Sequence, residues 1–272
     1  MKTILLATDF SSASINAARY AADMALAINA SVLLLHVYPI PISYTYMSVA
    51  DNLEEIQQGF EEKITEIKLQ LISKTNSKVD VGTKVTMGNF YPELENTCEV
   101  LKPYCVVMGC QGTTAAGQFF FGSHTLHAIR NLTWPLLTVP AHASFSSIKK
   151  IGLACDLLNI AETIPLDEII RLVNDFGAEL HILNSGGKEE YDPEVVFQAG
   201  LLQEKLLKLS PEMHFITNKN IDEGILDFIK HVDIDLLMVF PKWHSLLDKL
   251  IHNSHTKQLI LHSHVPVMAL HH

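Results

Sequence analysis

The sequence predicts an α/β protein built as two tandem five-stranded parallel-sheet domains, on three observations. Short apolar runs of strand length alternate strictly with helix-length amphipathic or Ala-rich stretches, the pattern of a parallel sheet covered by helices on both faces. The pattern then runs a second time: Lys149-Lys-Ile-Gly-Leu-Ala-Cys-Asp156 lines up with Lys2-Thr-Ile-Leu-Leu-Ala-Thr-Asp9, and Val265-Pro-Val-Met268 with Trp134-Pro-Leu-Leu137. Because the period is roughly half of a 272-residue chain, the repeat is a pair of whole domains rather than a solenoid.

In the first half, residues 3–8 form an apolar strand that ends at Asp9, and Ser11-Ser12 cap an Ala-rich helix running to about Ala27. Val32 to Val37 is the second strand. After a loop from Pro39 to Asp51, Leu53 to Ser73 places Leu53, Ile56, Phe60, Ile64, Ile67 and Leu71 on one helical face. Val79 to Thr86 is a third strand, and Gly88 turns the chain. A short helix from about Pro92 to Leu101, the strand 104–108, a glycine loop, a helix over 123–131 and the strand Leu136 to Val139 complete the unit.

The second half follows the same order. Ala178 to Ser185 matches Ala30 to Val37, Pro193 to Leu209 replaces the long helix, and Met213 to Thr217 is the third strand. Gly224 to His231 is the short helix and Asp235 to Phe240 the fourth strand. Pro140 to Ser147 is a small-residue stretch, which sets the expected domains at 1–143 and 148–272. So short a connection predicts that the halves pack together.

Composition narrows the function classes. Apolar residues make up 48% of the chain and charged residues 18%, enough for a large core and too apolar for disorder. Net charge is −10 and no basic cluster exceeds a pair such as Lys149-Lys150, which argues against nucleic-acid or anionic-membrane partners. The first apolar run is too short for a signal peptide, and the longest runs are broken by Asp23, Asn29 or prolines, so a cytoplasmic protein is expected. Cys98, Cys105, Cys110 and Cys155 form no C-x-x-C pair, and structural disulfides are not expected.

The stretch most suggestive of chemistry is Gly109-Cys-Gln-Gly112, nine residues, then Gly122-Ser-His-Thr125. A buried strand precedes it and a helix follows. Glycines tolerate φ > 0 and close ligand approach, Ser123 can cap the helix, and a helix N-terminus favours an anion. It is neither a P-loop, since no Gly-Lys-Ser/Thr follows, nor the compact G-x-G-x-x-G of dinucleotide sites.

The spacing Gly-x-x-Gly, nine residues, Gly-Ser resembles the ATP-binding signature of the universal stress protein family. With the strand-terminal Asp9 and Asp156 and the helix order, the chain resembles a tandem member of that family over nearly its full length. The resemblance implies Rossmann-like, adenine nucleotide alpha hydrolase-like sheets in the order 3-2-1-4-5, packed as a pseudo-dimer through their last strands. It also implies that Asp9 and Val37 hold the adenosine end, that Gly88 and Met108 line the base and ribose crevice, and that Gly109, Gly112, Gly122, Ser123 and Thr125 bind phosphates. ATP or a related adenine nucleotide, with or without Mg2+, is the implied cofactor. The family's usual Arg or His before the second glycine is Gln111 here, and its usual Val after the Ser is His124.

The second loop reads Pro241-Lys-Trp-His244 and then Asn253-Ser254. Read with Pro241 at the place of Gly109 and His244 at that of Gly112, it is one residue shorter. Proline removes an N–H and imidazole adds bulk, so no nucleotide is expected in the second half.

Other candidates are weaker. Asp9 is as readily a cap for residues 11 to 13 as a ligand group. Cys110, near a helix N-terminus, suggests a stabilised thiolate. The histidines number 14, with His244, His252, His255, His262 and His264 concentrated in the second half, but no Cys or carboxylate falls at ligand spacing and no metal is expected. With no nucleophile-base-acid set and no Walker-type lysine, catalysis has no visible apparatus beyond slow hydrolysis. The function expected is a stress-response regulatory switch in which ATP orders the loop 110–121. The alternative is a nucleotide-independent dimeric scaffold, for which Phe119-Phe-Phe121 would be an apolar contact. An unidentified protein partner, and homodimerisation, are left open.

Overall fold

In a computed structural model the described residues are 1–39, 49–110, 123–157, 160, 164–184, 193–218, 220–241 and 255–271, the side chains of 49–52 and 123 excepted. Residues Gly112, Phe119, Phe120, Phe121, Gly122, His244 and His252 lie outside them. The first half is β1 (Lys2–Ala7), α1 (Ser12–Ala27), β2 (Ala30–Tyr38), α2 (Val49–Lys74), β3 (Val81–Met87), α3 (Phe90–Leu101), β4 (Cys105–Cys110), α4 (Ser123–Asn131) and β5 (Leu136–Pro140). The second is β6 (Lys150–Cys155), α5 (Leu166–Phe176), β7 (Glu179–Asn184), α6 (Pro193–Lys205), a 3-10 turn (Leu207–Leu209), β8 (Glu212–Phe215), α7 (Ile221–Val232), β9 (Leu236–Val239), α8 (His255–His262) and β10 (Val267–Ala269).

The strands form one ten-stranded sheet in the order β3-β2-β1-β4-β5-β10-β9-β6-β7-β8. Each half is parallel and has the expected 3-2-1-4-5 order. Central strands such as β1 and β4 carry near-continuous apolar runs because both of their faces are covered. One face is covered by α1, α2, α5 and α6, through Ala21, Leu71, Leu172 and Leu202. The other is covered by α3, α4, α7 and α8, through Leu94, Ile129, Ile225 and Ile260.

The halves join through β5 and β10, among the described residues the one antiparallel pair, with Leu137 opposite Met268, Thr138 opposite Val267 and Leu136 opposite Ala269. That is the pseudo-dimer the last strands were expected to make. Thr138 Oγ1 donates to the Val267 carbonyl at 3.0 Å in a buried position. Beside the seam α5 of the second half reaches the first: Lys2 Nζ on β1 meets Asp175 at 2.6 Å, and the Arg171 guanidinium lies 4.7 Å from the ring centre of Tyr104, which precedes β4.

The repeat extends to backbone detail. Phe10 has φ 65° and Leu157 φ 52°, each one residue after the strand-terminal aspartate, and Lys102 and Asp233 end α3 and α7 with φ 48° and 56°. Left-handed backbone is unfavourable for such residues, so the turn after β1 and β6 is imposed by the fold in both copies.

Candidate site at the sheet switch point

The chain reverses its direction of winding between β1 and β4, and ligands of open parallel sheets sit at that point beyond the carboxyl ends of the strands. Ala7 is paired with Met108, so Asp9 and the end of β4 leave the sheet side by side. Tight local bonding holds the turn that carries Asp9. The Ser11 N–H donates to Asp9 Oδ1 at 3.0 Å, and Ser11 Oγ, the α1 cap, accepts from the Ser14 N–H at 3.2 Å. Thr8 Oγ1 accepts from the Phe10 N–H at 3.1 Å and lies 3.0 Å from Ser14 Oγ. The Asp9 carboxylate is exposed. Partial burial raises its pKa, but the hydrogen bonds from Ser11 and Ser14 outweigh that and hold it below the ordinary value. Asp9 is therefore an anionic acceptor at neutral pH, braced by the helix start and open to solvent.

Beneath this turn, His36 on β2 is a residue that the sequence did not single out. Its Nδ1 lies 2.8 Å from the Thr8 carbonyl, which can only accept, so Nδ1 carries the proton. Its ring packs on Phe10 and Phe60, with centroids 4.3 and 4.5 Å away. A polar side chain in the otherwise apolar run from Val32 to Val37 was the available signal.

Val37 is half-buried near the end of β2, opposite Thr86 on β3. Gly88 follows β3, and its N–H donates to the Tyr38 carbonyl at 2.9 Å. The Glu93 side chain fills the space where a Gly88 β-carbon would point. Met108 is buried within β4 and Thr125 within the first helical turn that Ser123 begins. Asp9, Val37, Gly88, Met108, Gly109 and Thr125 thus share the carboxyl edge of the first half. Phe90 of α3 packs at a tilt on His124 of α4, ring centres 4.6 Å apart, setting the start of α4 against α3.

Gly109 departs from the expectation. It lies inside β4, paired with Val139, and among the described glycines only Gly177 has positive φ. Its lack of a side chain serves another purpose: a β-carbon would stand 2.5 Å from the Ala13 carbonyl carbon and oxygen and 2.8 Å from the Ser14 nitrogen. The first turn of α1 packs backbone to backbone on the end of β4. Cys110 is the last residue of β4 rather than a loop residue, and burial pushes its thiol up to about 12, so it is no thiolate.

The comparison of the two loops also needs correcting by one residue. Ile4 is paired with Cys105 and Ile151 with Leu236; Val106 is paired with Leu136 and Leu237 with Val267. Both registers give an offset of 131 residues (236 − 105, 267 − 136). Phe240, not Pro241, therefore stands at the place of Gly109, and Pro241 matches Cys110. The same offset carries Gly112 to Trp243 and Ser123 to Ser254, so the two loops are of equal length. A phenylalanine cannot reproduce the close approach of Gly109 to α1.

The histidines considered for metal do not converge where they are described. His255 Nδ1 lies 2.8 Å from Asp222, and His262 Nε2 lies 3.0 Å from Gln258. No helix among the described residues is long and apolar enough to cross a membrane.

Two solved structures share the fold over the whole chain, and a third matches about half of it. A universal stress protein from Archaeoglobus fulgidus DSM 4304 is 18% identical with a TM-score of 0.76, over 99% of this chain and 98% of that one. A protein of unknown function from Pseudomonas aeruginosa PAO1 is 11% identical with a TM-score of 0.59, over 100% of this chain and 92% of that one. A universal stress protein family protein from Arabidopsis thaliana, solved with AMP bound, is 16% identical with a TM-score of 0.34, over 53% of this chain and 94% of that one. No curated protein sequence matches the chain. The model of the universal stress protein family matches twice, over residues 1–140 and 147–271, and the chain belongs to that family as a tandem of two such units.

Proposed function

We propose that the first copy, residues 1–143, binds an adenine nucleotide at the switch point between β1 and β4, and that the second copy, residues 148–272, does not. Asp9 accepts from the ribose, Val37, Gly88 and Met108 line the crevice, and the phosphates run toward Gly112, Gly122, Ser123 and Thr125 at the start of α4. Gly109 acts indirectly, by letting α1 close on β4. The protein works as a regulatory switch: ATP held against the segment 111–122 changes the surface offered to partners, and hydrolysis is slow.

The observation that carries this is the difference between the copies at one sheet register. Gly109 admits the α1 backbone to within 2.5 Å of a would-be β-carbon, whereas Phe240 stands in the same register of the second copy. An exposed acceptor at Asp9 and the N-terminus of α4 on the same edge suit ribose and phosphate, respectively.

A thermal-shift series on the full chain tests it. Ligand that binds only the folded protein adds RT ln(1 + [L]/Kd), about 2.7 kcal/mol at a hundredfold excess over Kd. ATP is expected to raise the midpoint in a saturable way, with AMP and GTP as separate arms and phosphate release at background. No shift at millimolar ATP or AMP would remove the proposal.

A further inference from the structure

We propose that the second copy carries a binding site for a late transition-metal dication, zinc foremost, built from His181 on β7 and Glu212 and His214 on β8. Strand register assembles it. His181 is paired with Glu212, and His214 lies two residues further along β8 on the same face. Among the described residues, these ligand atoms form a group lying within 4.8 Å of one another.

The geometry suits an ion. His181 Nδ1 lies 3.1 Å from His214 Nε2 and 3.5 Å from Glu212 Oε2, and that oxygen lies 3.7 Å from His214 Nε2. A triangle with these sides has its equidistant point about 2.0 Å from each corner, the length of a zinc bond to imidazole or carboxylate. The ring centres are 5.3 Å apart with their planes inclined by 26°, so the two nitrogens, at 3.1 Å, are much closer than the rings as a whole. Two imidazoles and one carboxylate favour zinc, copper or nickel over magnesium or calcium, which prefer all-oxygen sets.

The surroundings supply an outer shell. His181 is 3% exposed, and its Nε2 is enclosed without a hydrogen-bond partner, 3.8 Å from the Glu179 carboxylate. An ion on Nδ1 fixes the ring proton on Nε2, where it faces that carboxylate, the arrangement by which carboxylates orient metal-bound histidines. Phe228 of α7 packs on the His214 ring at 4.5 Å and holds it in place. The Glu212 side chain is 67% exposed, so a fourth position opens to water. With β8 only four residues long and at the outer edge of the sheet, the ion clips that strand to β7.

The test uses the full chain, stripped with a chelator and titrated calorimetrically with Zn2+ alone, with Co2+ as an absorbing substitute. Equimolar micromolar binding and a raised unfolding midpoint are expected. Glu212→Gln and His214→Asn should each weaken binding more than about tenfold, and Glu179→Gln about tenfold, while the metal-free midpoints of the exposed-site variants Glu212→Gln and Glu179→Gln stay near that of the parent. Absence of saturable micromolar binding overturns the site. So does binding of undiminished strength in both Glu212→Gln and His214→Asn, which would place the ion on other histidines, or equal stabilisation by Mg2+.

Discussion

Gly109 and Ala13 are packed so closely that a β-carbon on the first would stand 2.5 Å from the carbonyl carbon and oxygen of the second. Both obstacles are backbone atoms of a helix whose alanines, Ala17, Ala18, Ala21, Ala22 and Ala25, are buried against the sheet, so neither side can yield cheaply. Gly109→Ala is expected to cost about 3 kcal/mol, at the upper end for overpacking. The loss should appear as a lower urea midpoint with an unchanged slope. A variant as stable as the parent would show that α1 does not rest on β4 as described.

The same residue marks how far the sequence could be read. The element order, the 3-2-1-4-5 winding and the repeat followed from apolar periodicity and from strings such as Ile4-Leu5-Leu6 and Ile151-Gly152-Leu153, because such patterns are local. Gly109 read as a loop glycine since nothing in the sequence shows that Ala13 comes against it. The offset of Phe240 was missed because Pro241 looks like a loop breaker, whereas the true match is fixed by pairing of β4 and β9 with distant strands. His181 and His214 are 33 positions apart and meet only through strand register. Spacing along the chain cannot reveal contacts made across a sheet.

Stability should fall as the pH is lowered from about 7.5 to about 5.5, and His36 should account for part of the fall. Burial holds His36 below the usual histidine range, outweighing the Thr8 carbonyl and the Asp9 carboxylate, which act in the opposite sense. The unfolded chain takes up the proton near the ordinary histidine value of 6.5, before the folded chain does. The stabilisation is therefore complete above that pH and is lost below it, with a slope of up to about 1.4 kcal/mol per pH unit for each such group. His271, also held low by burial, adds to it. Asp9 does not contribute in this window, since its lowered pKa makes its share vanish only below about 3.8. Urea unfolding with chelator present should show a shallower pH slope in His36→Phe, and an identical slope would refute the assignment.

The seam between the halves should behave as core. Leu137 and Met268 face one another at the centre of the β5–β10 pair, each 0% exposed. Leu137→Ala should cost about 3 kcal/mol, and Thr138→Val about 1 kcal/mol through loss of its bond to the Val267 carbonyl. Calorimetry of the parent should give one transition, with calorimetric and van't Hoff enthalpies in agreement. Two separated transitions in the parent would mean that the continuous sheet does not couple the halves.

The two aspartates offer the sharpest contrast between the copies. Asp9 and Asp156 stand at matching positions, each followed by a residue with left-handed backbone, and removing Asp9 should cost the unliganded fold about 1 kcal/mol for its lost bond from the Ser11 N–H. Only Asp9 sits beside a β4 end that closes on α1 through a glycine, and only there should nucleotide be felt. Asp9→Ala is expected to weaken ATP binding at least about tenfold, or about 1.4 kcal/mol, while Asp156→Ala leaves the ATP-induced rise in midpoint intact. Each variant is compared with its own unliganded midpoint, which separates binding from stability. If Asp156→Ala abolished the rise and Asp9→Ala did not, the nucleotide would belong to the second copy, despite Phe240 standing where the first copy has Gly109.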